Sequence, residues 1–507
     1  MKRAGLCTVA FWAMLCIFLA AILTPPAFPS QDGPVHLYYA QVTRELIRDR
    51  STWGGYFVLR PGVPPYVLHY LLLFLFEAWL PPLIAEKMLA ALSVGLLCTA
   101  FRSMTRALEP RANWTTLLIF PIATHKPLYM GFYNFSLGMG IALSVCAWWI
   151  RRSRQFRARE LAIFLAGVAL LSITHPVALA LTLLFAAMEV AVGGIRDRLR
   201  LLALGAGCLS LFYIALYMNS SGARLIAGFP AMLSHAGSAL EAIWPMRTPL
   251  HQMVRTAVCA GVLGLLALRL GSGRLNAGAM AALVFAVACG VAFIIAPENM
   301  NGGDYFNERF AIFGFVFALA LCASIAGPRH VELSAGLAAA VLSLTLLIEQ
   351  GVRTRPFAVE AARLDHAIAP RPNQRGVVLA TRGAIGPADF NFSPCAHIAA
   401  HYFRRAHAIL LNSVWLHMPI AAIRPRAWEA GQFLDAHRLA EFGLRHPERL
   451  PRVDFIAAES CPPGSSDPGL DRLVRLYGAE HTILRTACVT IRAHLRSSAA
   501  KYAIDSK

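Results

Sequence analysis

Pro25-Pro26-Ala27-Phe28-Pro29-Ser30-Gln31-Asp32-Gly33-Pro34-Val35-His36 follows directly on an apolar run at 6–24. A run of about 20 apolar residues is long enough to cross a bilayer. The stretch after it is rich in turn formers. It carries the first acidic residue of the chain, Asp32, with His36 one helical turn further on. Lys2 and Arg3 precede the run, so the positive-inside rule points it outward and leaves Asp32 just beyond its outer end. No Ala-x-Ala-like cleavage site lies before Gln31, so the run is taken as an uncleaved first span rather than a signal peptide. Asp32 is outside in either case.

The rest of the chain repeats this pattern. Of its 507 residues 57% are hydrophobic and 15% charged, against about 25% charged in a soluble protein. Long apolar runs recur, so the fold class is an α-helical polytopic membrane protein. A formal net charge of +19 invites a nucleic-acid partner. The placement of the arginines excludes it: they sit in short clusters between apolar runs, as positive-inside loops do, where they also suit anionic lipid head groups.

Orienting the runs by Lys and Arg gives about eleven transmembrane helices. A large outer loop at 25–82 follows the first. It holds an amphipathic stretch at 35–50 and an apolar one at 66–80, the latter between Pro64-Pro65 and Pro81-Pro82. Arg102, Arg106 and Arg111 follow the next run and belong inside. That leaves 66–80 as an interfacial or re-entrant helix rather than a span. Crossings then follow at 83–101, 114–124, 136–150, 161–173, 176–196, 201–218, 253–268, 277–296, 310–325 and 331–348. Two of them, 114–124 and 161–173, are short for a bilayer and have to extend into their flanking loops. No internal repeat is visible, which counts against a repeat-built transporter. The spanning part is 1–349 with a cytoplasmic N-terminus, and 350–507 lies outside.

That last region changes character. β-rich runs at 376–381, 408–411, 453–457 and 482–492 alternate with helical patterns at 427–438 and 470–477. This is the pattern of an extracytoplasmic α/β domain. Of 11 cysteines, Cys395, Cys461 and Cys488 lie here. Outside the membrane two of them can pair; Cys461 with Cys488 is the expected pair, and three buried thiols the alternative. No Cys-x-x-Cys occurs, which argues against zinc.

The polar, turn-rich loops all fall on the outer face. Besides 31–36 they are 124–136 with Lys126 and Asn134, 174–176 with His175, and 297–309 with Asp304, Glu308 and Arg309. Each candidate has a plainer reading. Asp32 before Gly33-Pro34 suits a helix N-cap. His36 is more often a satisfied polar residue than a catalytic one. Lys126 can snorkel to the interface, Glu308 and Arg309 can form a structural ion pair, and Asp304 after Gly302-Gly303 can be a turn residue.

Taken together, these features resemble the GT-C superfamily of integral-membrane glycosyltransferases, which includes oligosaccharyltransferases, protein mannosyltransferases and aminoarabinose transferases. The shared features are an outward first span, an acid early in a large outer loop, further polar outer loops, a cation at the outer end of a late span, and an outer terminal domain. The resemblance covers nearly the whole topology but only a few residues per motif. It implies transfer of a hexosyl or pentosyl group, with inversion, from a polyprenyl-phosphate-linked donor. The acceptor would be a glycan, lipid or protein at the outer face of a bacterial inner membrane. Asp32 then stands at the family's first-loop acid, the base for the acceptor hydroxyl, with His36 beside it. Arg309, after Asp304 and Glu308, stands where the family holds the lipid phosphate, and Lys126 is a second cation for it. Several members carry an acid in the second outer loop. Here Asn134 of Gly131-Phe132-Tyr133-Asn134-Phe135 stands there, which points to a metal-independent enzyme without a cofactor. Two other classes fit the topology. One is a lipid-linked sugar flippase, opposed by the scarcity of acids inside spans. The other is a non-catalytic envelope glycan-binding protein, in which 350–507 would hold all the binding.

Overall fold

Proline and arginine set the ends of the helices that the apolar runs form. The computed structural model describes residues 2–48, 53–59, 65–152, 156–194, 198–218, 232, 234–235, 238–271, 275–298, 305–324, 329–367, 375–380, 389–410, 423–425, 454–459, 475, 481–485 and 488–493. In chain order the helices are α1 (Lys2–Leu23), α2 (Gly33–Arg48), α3 (Leu68–Glu77), α4 (Pro82–Leu108), a 3-10 helix (Trp114–Ile122), α5 (Lys126–Tyr129), α6 (Tyr133–Arg152) and α7 (Ala158–Thr174). Then come α8 (Pro176–Gly193), α9 (Arg198–Met218), α10 (Pro249–Gly271), α11 (Ala277–Ile295), α12 (Glu308–Ala323), α13 (Arg329–His366) and the six-residue α14 (Ala400–Arg405). Pro82 and Pro176 each occupy the first turn of a helix, where the missing N–H costs nothing. Arg151 and Arg152 close α6, where positive charge suits the helix dipole.

Among the described residues seven helices are long and apolar enough to cross a membrane: α1, α4, α6, α8, α10, α11 and α13. The other expected crossings fall on α7, α9, α12 and the 3-10 helix. The last differs most from expectation. It has nine residues with Pro121 inside, so it reaches only about 18 Å, against a hydrocarbon core of about 30 Å. The apolar stretch at 66–80 becomes the ten-residue α3, about 15 Å long and too short to cross.

Hydrogen bonds sort the helix ends onto two faces. On the arginine-rich face, Arg102 donates to Thr8 at 2.9 Å, Arg151 to the Ser103 carbonyl at 2.6 Å, Asn276 to the Leu108 carbonyl at 3.1 Å, and Thr115 to the Ala323 carbonyl at 2.6 Å. Glu189 and Arg200 form a buried ion pair there, and Trp149 Nε1 donates to the same carboxylate. On the opposite face, Lys87 Nζ donates to the carbonyls of Leu23 and Pro25, at 2.8 Å each. The first is left over at the end of α1, and the second lies in the turn that follows. Thr124 donates to Gln350 at 2.8 Å, and His251 meets Glu349 at 2.6 Å.

α13 has 38 residues, about 57 Å, and runs unbroken through position 349/350. Beyond it, β2 (Arg375–Ala380), β3 (Ile409–Leu410), β5 (Phe455–Glu459), β6 (His481–Arg485) and β7 (Val489–Ala493) form one sheet in the order β3-β2-β5-β7-β6. β2 pairs parallel with β3 and β5, while β7 pairs antiparallel with β5 and β6. The run at 482–492 is thus a hairpin rather than one strand. The helical pattern at 427–438 lies outside the described residues, as does 470–477 apart from Arg475. Cys461 lies outside them too; Cys488 instead meets Cys395, with the sulfurs 2.6 Å apart and both residues buried.

This region docks back onto the large loop. β1 (Phe57–Leu59) pairs antiparallel with β4 (Ile423–Pro425). The Tyr38 hydroxyl of α2 donates to the Ala408 carbonyl at 3.0 Å and accepts the Leu410 amide at 2.8 Å.

Candidate functional site

Three chain segments meet around Asp32. The first is 30–36, between α1 and α2, where the Asp32 carbonyl accepts the His36 amide at 3.0 Å and opens α2. The second is 129–133. The carbonyls of Tyr129 and Met130 accept the amides of Gln31 at 2.9 Å and Asp32 at 3.2 Å. These bonds press backbone against backbone, and two glycines allow it. Gly131 has φ +80°, and a Cβ on it would stand 2.9 Å from the Gly33 nitrogen and 3.1 Å from Asp32 Cβ. A Cβ on Gly33 would collide with the Glu86 carboxylate and the Ser30 hydroxyl. Only glycine suits such positions. The third segment is 389–401: the Ser393 amide donates to Gln31 Oε1 at 2.8 Å, and the Phe392 and Tyr129 rings stack at 5.3 Å.

Asp32 is 2% exposed. Its Oδ1 accepts from Gln31 Nε2 at 3.4 Å and lies 3.7 Å from His397 Nε2. His36 Nδ1 is 3.1 Å from the Tyr70 hydroxyl, and the His69 ring packs edge-on against the His36 ring at 4.8 Å. Burial pulls His36 down to about 4, against a backbone hydrogen bond with Gly131 that opposes the fall. His36 is therefore neutral at neutral pH and acts as a hydrogen-bond partner. Burial raises the Tyr70 phenol, and the negative charge of Asp32 raises it further.

Glu86 was not singled out by sequence reasoning. It stands in the second turn of α4, is 1% exposed, and accepts from the Ser30 hydroxyl at 2.5 Å and the Tyr133 hydroxyl at 2.6 Å. It thereby ties the segments at 30 and 133 to one carboxylate. The available signal was the acid–base pair Glu86-Lys87 at the head of an apolar run, just after Pro81-Pro82.

The cations come from two segments, Lys126 from α5 just before Gly131 and Arg309 from the first turn of α12. Lys126 Nζ donates to Glu308 Oε1 at 2.6 Å and lies 4.6 Å from the centre of the Tyr305 ring. Arg309 stands 5.8 Å from the centre of the Phe132 ring. Burial lowers His175 and the Arg309 charge adds to the fall; burial raises Tyr66 and the same charge opposes the rise. Arg309 is thus near both. Gly131 touches Asp32 while the next residue, Phe132, touches Arg309, so one turn joins the acid to that cation. Asn134 accepts its neighbour's amide, that of Phe135, at 2.8 Å. Asp304 lies outside the described residues.

Four non-glycine residues among those described have left-handed φ: Tyr66 (+71°), Tyr305 (+57°), His397 (+61°) and His407 (+48°). All four stand on this face. Tyr66 is near Arg309, Tyr305 is over Lys126, His397 is at Asp32, and His407 Nδ1 is 3.0 Å from Gln41 Nε2 of α2. Such a backbone costs on the order of 1–2 kcal/mol per residue and persists only where surrounding contacts hold it.

Comparison with known proteins finds the fold. No family model matches the chain, and no curated protein matches it by sequence. Among solved structures, ArnT from Cupriavidus metallidurans bound to undecaprenyl phosphate superposes with a TM-score of 0.51 at 11% identity, over 97% of this chain and 98% of that one. The mycobacterial arabinofuranosyltransferase AftD superposes with a TM-score of 0.50 at 12% identity, over 97% of this chain but 40% of its own length. The chain therefore shares the overall fold of these two proteins: a largely helical polytopic bundle with a C-terminal mixed β-region.

Proposed function

We propose that the protein is an inverting membrane glycosyltransferase that moves a sugar from a polyprenyl-phosphate-linked donor to an acceptor. Its site lies at the extracytoplasmic surface of a bacterial inner membrane. In this reading the chain crosses about eleven times, the N-terminus is cytoplasmic, and the region after α13 is an extracytoplasmic α/β domain. The observation that carries the proposal is the single turn 131–132 that joins buried Asp32 to Arg309, with Lys126 opening the short helix just before it.

The chemistry follows from those groups. Asp32 takes the proton of the acceptor hydroxyl as its oxygen attacks the anomeric carbon. The bond from that carbon to the phosphate oxygen breaks on the opposite face, and the phosphate leaves with the electron pair. Arg309 and Lys126 hold the departing phosphate, Arg309 through its planar fork. At rest Glu308 compensates Lys126, so the donor phosphate takes the place of that carboxylate. His36, neutral and bonded to Tyr70, orients the acceptor side, while Asn134 fixes the start of α6. The prenyl tail stays in the bilayer, which explains a site at the helix ends.

The test uses purified protein and a panel of radiolabelled polyprenyl-phosphate sugars. Wild type should release label from at least one donor. Asp32→Ala should abolish release while still inserting and purifying as wild type does. Full activity in Asp32→Ala removes the mechanism, and binding without bond cleavage by wild type would indicate a carrier instead.

A further inference from the structure

The segment 389–401 lies far along the chain from the first outer loop, yet it supplies the side chain that faces Asp32. We infer that His397 completes the site as the positioning residue for Asp32, and that Glu459 of β5 holds it there; this rests on Asp32 being the base. His397 Nε2 lies 3.7 Å from Asp32 Oδ1, the range in which a small shift or one water makes a hydrogen bond. The residue reaches that point only by adopting a left-handed backbone, φ +61°. A histidine there has no local reason to be preferred over glycine.

The compensation comes from Glu459. Its carboxylate is buried and accepts two backbone amides of the same turn, His397 at 3.0 Å and Ala399 at 2.9 Å. The chain leading into the turn is fastened twice. Gln31 accepts the Ser393 amide while its Nε2 reaches Asp32, and Cys395 packs sulfur to sulfur with Cys488. The titratable groups brought to this turn are Asp32, His36 and Glu459, and burial lowers His397 itself to about 4, so its ring is neutral at neutral pH. The neutral imidazole, with Nε2 turned toward Asp32 Oδ1, therefore fixes the carboxylate's direction toward the acceptor hydroxyl. A bundle without the terminal sheet would lack this half of the site.

Two measurements on the full chain in detergent decide it. The first needs no substrate. Carbethoxylation of His397 by diethyl pyrocarbonate is followed across pH by peptide mass spectrometry, since the side chain is 33% exposed. A carboxylate beside an imidazole favours its protonated form. Asp32→Asn should therefore lower the midpoint for His397 by about one pH unit, and an unchanged midpoint overturns the pairing. The second compares His397→Gly with wild type on whichever polyprenyl-phosphate sugar wild type cleaves. Glycine keeps the left-handed turn and removes only the ring. A fall in kcat of tenfold or more with donor KM within twofold is expected, and Glu459→Ala should fall in the same direction. Wild-type kcat in His397→Gly overturns the inference. If wild type cleaves no donor, the glycosyltransferase reading fails, while the carbethoxylation midpoint still decides the pairing.

Discussion

Gly131→Ala tests whether the turn that joins the acid to Arg309 depends on its backbone. Alanine at φ +80° meets the left-handed penalty, about 1–2 kcal/mol. Its Cβ would also stand 2.9 Å from the Gly33 nitrogen and 3.1 Å from the Asp32 nitrogen. Both neighbours are main chain, held by the Gln31 and Asp32 amide bonds to Tyr129 and Met130, so neither can rotate away. Overpacking of this kind adds about 1–3 kcal/mol. The sum is a loss of about 2–5 kcal/mol, measured by SDS-induced unfolding in mixed micelles, with donor cleavage lost as Asp32 moves. Gly261→Ala is the control: it sits in α10 with nothing within 4 Å of a Cβ, and alanine there should be neutral or stabilise by up to about 1 kcal/mol. If Gly131→Ala lies within about 0.5 kcal/mol of wild type, the backbone contact is not what builds the site, and the argument from glycine fails.

Three further outcomes are expected. Glu308→Ala leaves the ammonium of Lys126, itself 4% exposed, uncompensated and should cost about 3–5 kcal/mol. Lys126→Met combined with Glu308→Gln should recover most of that stability but not donor cleavage, which unfolding and release assays read separately. Burial pushes Glu459 up to about 7, against the amide bonds from Ala399 and His397. Its unfolded value is near 4.5, so the stabilisation is complete below that pH and is lost as pH rises through about 7. Unfolding at pH 5 and pH 8 should therefore differ by a contribution of about 3 kcal/mol that Glu459→Gln removes. Mild oxidation with diamide should link Cys395 to Cys488, found as a crosslinked peptide by mass spectrometry; a Cys461–Cys488 peptide in its place would contradict the packing of the sheet against 389–401.

Much of the layout was legible because a membrane imposes one-dimensional rules. Apolar length and arginine placement set which loops share a face, and hydrogen bonds, an ion pair and ring contacts bring 31–36, 124–136, 174–176 and 305–309 together. α3 was legible for the same reason, since arginines after α4 left no room for another crossing. The 3-10 helix was harder, because an apolar run with a proline reads the same whether or not it completes an α-helix. The region after α13 was legible only in outline. Its strands are short, and what they hold in place, His397 and Glu459, is separated from Asp32 by more than 360 positions.

Asp32 was singled out because an acid after a first span is conspicuous, while Glu86 was passed over because it is folded into an apolar run that reads as a span. Yet the two depend on each other. Glu86 anchors Ser30 and Tyr133, the residues that bracket the contact of Asp32 and Gly33 with Gly131. Gly33 must lack a side chain because that carboxylate fills its space. A motif search weighs residues by their chemistry and passes over glycine. In this site glycine brings the acid-bearing loop against the cation-bearing loop, and the carboxylate inside the span holds both. The catalytic question is therefore divided: loss of activity on changing Asp32 with stability intact points to chemistry, whereas loss of both on changing Glu86 or Gly33 points to the frame that aims it.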